Sequence, residues 1–217
     1  FTQDLIKHVV KSVTGGLKIT YQGTEIDFSK PIKKLTLADA IKQHTGIDID
    51  TINTEDEFKS IIKSKKLKLD LTEVVGLGAC FDQLYKEYVR PKIIEPTFMC
   101  DYPSEMIALA KRHPHDPKKI ASFQLVVCGT ELLKAYNEVN DPKDQSDRWL
   151  SEVELAKKGS EIASQFDHDY IRALEYGMPP TAGWGMGIDR FTQFITDQPT
   201  IKDVILFPSM RSEIRDK

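Results

Sequence analysis

The chain has 217 residues, 40% of them apolar, enough for one large domain or one and a half small ones. Its 30 basic and 33 acidic residues give a net charge of −3, which excludes a general electrostatic drive toward nucleic acid or an anionic membrane and leaves any RNA contact local. No apolar run approaches the roughly 18 residues of a membrane span, and FTQDLIKHVVKS lacks a signal-peptide core, so a soluble cytoplasmic protein is expected.

The first residue is Phe, and TQDLIKHVVKSV, apolar at 5, 9, 10 and 13, predicts a helix already under way, so an upstream segment is expected. Gly15 and Gly16 stop it. LKITYQGTEIDFS then predicts a hairpin turning at Gln22-Gly23. Thr36 caps a second helix that ends at Gly46, and a third runs from Thr54 to Lys66, closing in the basic run KSKKLK, a solvated helix end. A longer helix from Leu77 to Val89 is broken by Pro91, and PTFMCD predicts a short buried strand. RHPHDP predicts a loop with two solvated histidines. FQLVVCG and TELLKAYNEV predict two antiparallel strands joined at Cys128-Gly129-Thr130. Residues 141–166 predict one or two charged surface helices, and DHDYIRALEYG another that ends at Gly177. GWGMGI predicts a strand, followed by a final helix capped by Asp189. Cys80, Cys100 and Cys128 are widely spaced, with no CxxC pair, and are expected to be buried thiols rather than disulfides or zinc ligands. Hairpins separated by helices, without regular βαβ alternation, predict an α+β fold with an antiparallel sheet flanked by helices.

In Gly183-Trp184-Gly185-Met186-Gly187-Ile188 the glycines recur every second residue, leaving one strand face bare while Trp184, Met186 and Ile188 form a core face. Interior glycine weakens a strand, so three in register call for a reason. One is a flat ligand, such as a purine, lying on the backbone with the Arg190 guanidinium stacked over it or paired with a phosphate. The other is a tight helix-on-strand contact, with Arg190 in a surface ion pair. Spacing leaves both open.

The run LEYGMPPTAGWGMGIDR, residues 174 to 190, resembles motif 3 of the class II aminoacyl-tRNA synthetases in the form found in lysyl-tRNA synthetases. FQLVVCGTELLKAYNEVNDPKDQ, residues 123 to 145, is similar to the part of that family that carries its ATP-metal and lysine-binding groups. PTFMCDYPSEMIALAK and the first hairpin fall in the family's order. The resemblance implies the C-terminal part of a class II catalytic core over residues 1–217, using ATP and Mg2+ to join lysine to tRNA(Lys), with a homodimer expected for the full enzyme. It implies Glu131 and Leu132 as ATP contacts, Glu131 also holding magnesium on the phosphates, and Glu138 as the acid that meets the substrate ε-ammonium, with Tyr136 walling the pocket. It places Gly187, Ile188, Asp189 and Arg190 at the ATP end of motif 3, with Arg190 and Glu131 as the catalytic groups.

Two positions depart from the family pattern. Gln124 stands where many members have a second metal-binding glutamate, keeping an oxygen ligand without its charge. Lys134 stands where the family has a substrate-contacting asparagine, and its cation either pairs with the α-carboxylate of lysine or repels the ammonium groups. If residue 128 pairs with 131, strict alternation puts Gln124 and Glu131 on one hairpin face and Lys134, Tyr136 and Glu138 on the other, so a bulge between Glu131 and Lys134 is expected. Motifs 1 and 2 and the anticodon-binding barrel of the family have no counterpart in these residues, so the chain is expected to be inactive alone. Competing readings are a synthetase-like module that binds ATP, an amino acid or a partner without charging tRNA, and a paralogue that attaches lysine to a protein.

Overall fold

The computed structural model describes residues 1–160 and 166–209. In chain order the elements are α1 (Thr2–Thr14), β1 (Lys18–Tyr21), β2 (Thr24–Asp27), β3 (Lys33–Thr36), α2 (Leu37–Thr45), α3 (Glu55–Ser64), α4 (Leu77–Tyr88), β4 (Thr97–Cys100), β5 (Arg112–His113), β6 (Asp116–Ile120), β7 (Ser122–Val127), β8 (Thr130–Asn137), α5 (Pro142–Lys157), α6 (His168–Glu175), β9 (Ala182–Met186) and α7 (Ile188–Ile195). The fold is α+β, and the described helices include none long and apolar enough to cross a membrane. The end of the expected surface helix falls partly on residues 161–165, outside the described residues.

The chain divides into two compact units, one of residues 1–31 with 186–217 and one of residues 32–185. In the first, β1 and β2 form the expected hairpin, with Gln22 at φ 47° and Gly23 at φ 78°, the two left-handed residues that a tight turn matching strand twist needs. Phe194 of α7 packs on Tyr21 at 4.9 Å and on Phe28 at 6.1 Å between ring centroids. The Gln22 amide donates to Asp197 Oδ1 at 2.6 Å. α1 buries Thr2, Ile6 and Val10, one residue in each turn, whereas Val13 is exposed. The expected helix is present, and Leu5 and Val9 flank its buried line.

The second unit holds a five-stranded sheet in the order β3-β4-β7-β8-β9. β4–β7 and β7–β8 are antiparallel, but β3 pairs with β4 in parallel, so the sheet is mixed rather than purely antiparallel. The reason lies in the connection: α2, α3 and α4 all intervene between β3 and β4, a crossover long enough to bring the chain back in the same direction. Local signals set these helices. The Thr36 side chain accepts from the Asp39 amide and Gly46 takes the left-handed cap, while Thr54 and Glu57 form a reciprocal capping box. Ile41, Phe58, Phe81, Leu84 and Tyr85 of the three helices bury together against Met99 and Val126 of the sheet. RHPHDP is not an open loop but the turn of a small hairpin between β5 and β6, a pairing that two-residue β5 and its proline hide from alternation. Cys80 is buried, and Cys100 and Cys128 are partly buried free thiols.

Candidate functional site

The β7–β8 hairpin carries most of the residues singled out above. Its turn is Cys128-Gly129, at φ 47° and 70°, so Val127 pairs with Thr130 and Val126 with Glu131; residue 128 is in the turn and does not pair with 131. Farther from the turn the register shifts, and Leu125 pairs with Leu133, Gln124 with Lys134 and Ser122 with Tyr136. Leu132 is the extra residue. The expected bulge is present, between Glu131 and Lys134, and without it alternation would send Lys134 and Tyr136 to the face opposite Glu131. With it, Glu131, Lys134 and Tyr136 share the face of Ser122, Gln124 and Val126. Leu132 itself is 1% exposed, backbone included, so the structure leaves this expected ATP contact closed to a ligand.

Gln124 and Lys134, directly opposite each other, line a cavity of about 550 Å³ that also includes Tyr102, the first turn of α4 from Leu77 to Ala79, and Leu155 of α5. Tyr102 donates its hydroxyl to Gln124 Oε1 at 2.7 Å. Burial, then the neighbouring Tyr85 phenol, raises the Tyr102 hydroxyl well above its ordinary range, so it stays a neutral donor. Burial likewise pushes Tyr85 up to about 12. The nearby Glu131 charge adds to both shifts, consistent with its place on this face. Lys134 Nζ stands 5.8 Å from the Tyr136 ring centroid, within cation–π range. Because the Gln124 oxygen already accepts the Tyr102 hydroxyl, its free amide hydrogens and the Lys134 ammonium make this stretch of wall a donor surface.

Glu138 follows β8 directly. Its amide donates to the Thr181 carbonyl at 2.9 Å, and it forms an isolated bridge with Ala110. Ala110 is held in turn by Arg148 of α5, 6% exposed, whose Nη1 donates to its carbonyl at 2.6 Å and whose Nη2 meets Asp144 Oδ2 at 2.9 Å. Burial tends to raise the Asp144 carboxyl, but the Arg148 hydrogen bond and charge outweigh it and hold the group below its usual range. Burial raises the Glu138 carboxyl. Tyr136 and Tyr170 are also raised, by burial first and then by the Glu138 charge, which marks them as its aromatic neighbours.

The glycine run behaves differently at each position. A β-carbon at Gly185 would meet nothing within 4 Å, so that backbone is open. At Gly183 the space is already filled by the Glu138 carboxylate, so the expected bare face is interrupted there. The opposite side is no core face among the described residues: Trp184 is 37% exposed on β9, the outermost described strand of the sheet, and Ile188, which begins α7, is 65% exposed. Gly187 belongs to the first unit and is the N-cap of α7, displacing Asp189, which lies in the first turn. Arg190 is on the exposed side of α7, its Cβ 3.6 Å from where a β-carbon on Gly187 would stand.

Sequence reasoning missed Tyr102, Arg148 and the pairing of Glu138 with Gly183. Nothing local signals them, since each depends on segments brought together by the sheet. Among the described residues no group of three or more His, Cys, Asp or Glu side chains is placed to hold a metal. On the hairpin face the candidate donors are the Glu131 carboxylate and the Gln124 oxygen.

A family profile described as tRNA synthetases class II (D, K and N) matches residues 1–211. A lysine–tRNA ligase of Clostridium acetobutylicum is 43% identical over 212 residues, covering 97% of this chain and 41% of that protein. One from Carboxydothermus hydrogenoformans is 44% identical over 210 residues, covering 97% of this chain and 43% of that protein. One from Christiangramia forsetii is 40% identical over 213 residues, covering 98% and 37%. The chain thus spans about two-fifths of the length of the curated relatives it matches.

Proposed function

Since the chain belongs to the class II tRNA synthetases (D, K and N), we propose that it forms the lysine-recognising part of a lysine–tRNA ligase completed by a longer polypeptide. In the reaction proposed, the lysine carboxylate attacks the α-phosphate of ATP, pyrophosphate leaves, and the lysyl group passes from the adenylate to the 3′ end of tRNA(Lys). Positioning and charge stabilisation carry such a reaction, with no covalent enzyme intermediate. The observation that carries the reading is the bulge at Leu132, which gives Glu131, Lys134 and Tyr136 a common face with Gln124.

Glu138 is assigned the substrate ε-ammonium, a charge-assisted pair that an amino acid without the amine leaves unmade. Lys134, beside the Gln124 amide, is assigned the α-carboxylate of lysine, because that wall offers donors; this reading favours attraction over repulsion at Lys134. Gly187, Ile188, Asp189 and Arg190 are assigned to ATP. The donor set fits magnesium in part: Glu131 supplies a hard carboxylate oxygen, while the Gln124 oxygen is shared with Tyr102. Glu131 would hold an ion that arrives with ATP, and that ion would screen the phosphate charge. A homodimer and cytoplasmic location are proposed for the whole protein.

The engagement of Gln124 by Tyr102 also favours a second reading, an ATP- or amino-acid-binding module that charges no tRNA. Lysine-dependent pyrophosphate exchange, followed by lysyl transfer to tRNA, in the full polypeptide that carries this chain separates the two. Exchange and tRNA charging that both depend on lysine support the ligase. Lysine binding without exchange supports the module, and charging of a protein in place of tRNA supports the paralogue.

A further inference from the structure

We infer that Gly183 determines substrate specificity, by leaving the room in which the Glu138 carboxylate is held for a primary ammonium group. The inference rests on the reading of Glu138 as the acid that meets the substrate amine. Three observations carry it.

The main chain at Glu138 is fixed from both sides, through its amide bond to Thr181 and its bridge to Ala110, whose carbonyl Arg148 grips at 2.6 Å. Whatever adjusts there must be the side chain. That side chain reaches over Gly183 so closely that Oε1 stands inside contact distance of a β-carbon built on the glycine, with Cδ at 3.3 Å. The atom met is the far end of a flexible side chain, so a methyl group at 183 evicts the carboxylate and leaves the strand in place. At Gly185, two residues along, a β-carbon meets nothing within 4 Å, so one flat ligand does not account for both glycines.

Among the described residues the Glu138 carboxylate makes no hydrogen bond or ion pair, although it is half-buried. A partly desolvated, unpartnered carboxylate is a poor resting state and a selective receptor for a cation with hydrogen-bond donors. A primary ammonium brings both. The raised Glu138 carboxyl, an effect of burial, agrees with this state.

The test uses the full polypeptide that carries this chain, as wild type, Gly183→Ala, Glu138→Gln, and Gly183→Ala combined with Glu138→Asp. Lysine affinity is measured by calorimetry, and crystal structures locate the residue 138 side chain. Gly183→Ala is expected to keep the wild-type unfolding midpoint, swing the carboxylate off residue 183 and weaken lysine binding about tenfold or more. Shortening the acid by one methylene in the double variant is expected to recover part of that loss, which a merely structural glycine would not allow. Wild-type lysine affinity in Gly183→Ala, with loss in Glu138→Gln, overturns the inference and leaves the function intact. Wild-type affinity in Glu138→Gln overturns the assignment of the ammonium to Glu138, and the specificity role of Gly183 with it. An unmoved carboxylate in the Gly183→Ala crystal overturns the steric claim whatever lysine does.

Discussion

Gly78, in the first turn of α4, lies against the backbone of Glu105, whose carbonyl carbon would be 2.7 Å from a β-carbon at that position. Unlike a side-chain tip, a carbonyl cannot rotate away, so Gly78→Ala is expected to lower stability by about 2–3 kcal/mol, read as a drop in the urea midpoint. An unchanged midpoint would mean that the segment carrying Glu105 yields freely. Glu138 makes a prediction of opposite sign. Its carboxyl is raised above the unfolded value, so the folded state binds the extra proton between the two; stability is full below the unfolded value and declines as pH rises through the folded one. Glu138→Gln should remove that decline, raising the melting temperature at neutral pH by on the order of a degree or two while abolishing selective lysine binding. Calorimetry from acid to neutral pH checks it, and a pH dependence identical to wild type would refute it. At this scale the sequence marks Gly183 as a residue needing an explanation but not which one, because a missing side chain reports that something is close without saying what.

The bulge is the element on which the site geometry turns. Deleting Leu132 should restore unbroken alternation, carry Lys134 and Tyr136 to the other face and abolish lysine binding, while circular dichroism still reports the fold. Lysine binding at wild-type strength in that variant would show that the shared face is unnecessary. The turn of the same hairpin holds Cys128 at φ 47°, where asparagine is favoured, so Cys128→Asn is expected to stabilise by a few tenths of a kcal/mol to about 1 kcal/mol. Elements written by local chemistry were legible in the sequence: the caps at Thr36, Thr54 and Gly46 and the turn at Gln22-Gly23 each depend on a few neighbouring residues. The bulge was legible too, though indirectly, because two sets of residues expected in one site could not share a face without it. β5 was not, since two residues beside a proline carry no alternation.

Over the whole molecule, 30 basic against 33 acidic residues leave no excess of cations to trade for counterions on a polynucleotide. The 217-residue chain assayed alone is therefore expected to retain unrelated RNA weakly or not at all at about 150 mM salt, and tight retention on filters would reveal a basic surface that the composition hides. Its pyrophosphate exchange should be negligible as well, since these residues include no FRxE-type motif 2 arginine, a group whose loss costs roughly 2–3 kcal/mol or more in the transition state. The α+β class was legible from the order of helices and hairpins, but the parallel alignment of β3 with β4 was not, because it depends on how a three-helix crossover returns. That alignment also bears on how the protein is made. During synthesis Lys33–Thr36 leaves the ribosome long before its parallel partner Thr97–Cys100, and their pairing waits until α2, α3 and α4 have followed, whereas β7 and β8 can close on each other as soon as both emerge. The hairpin that bears Glu131 and Lys134 is thus ready early, and the parallel pair beside it closes only after three helices have been made.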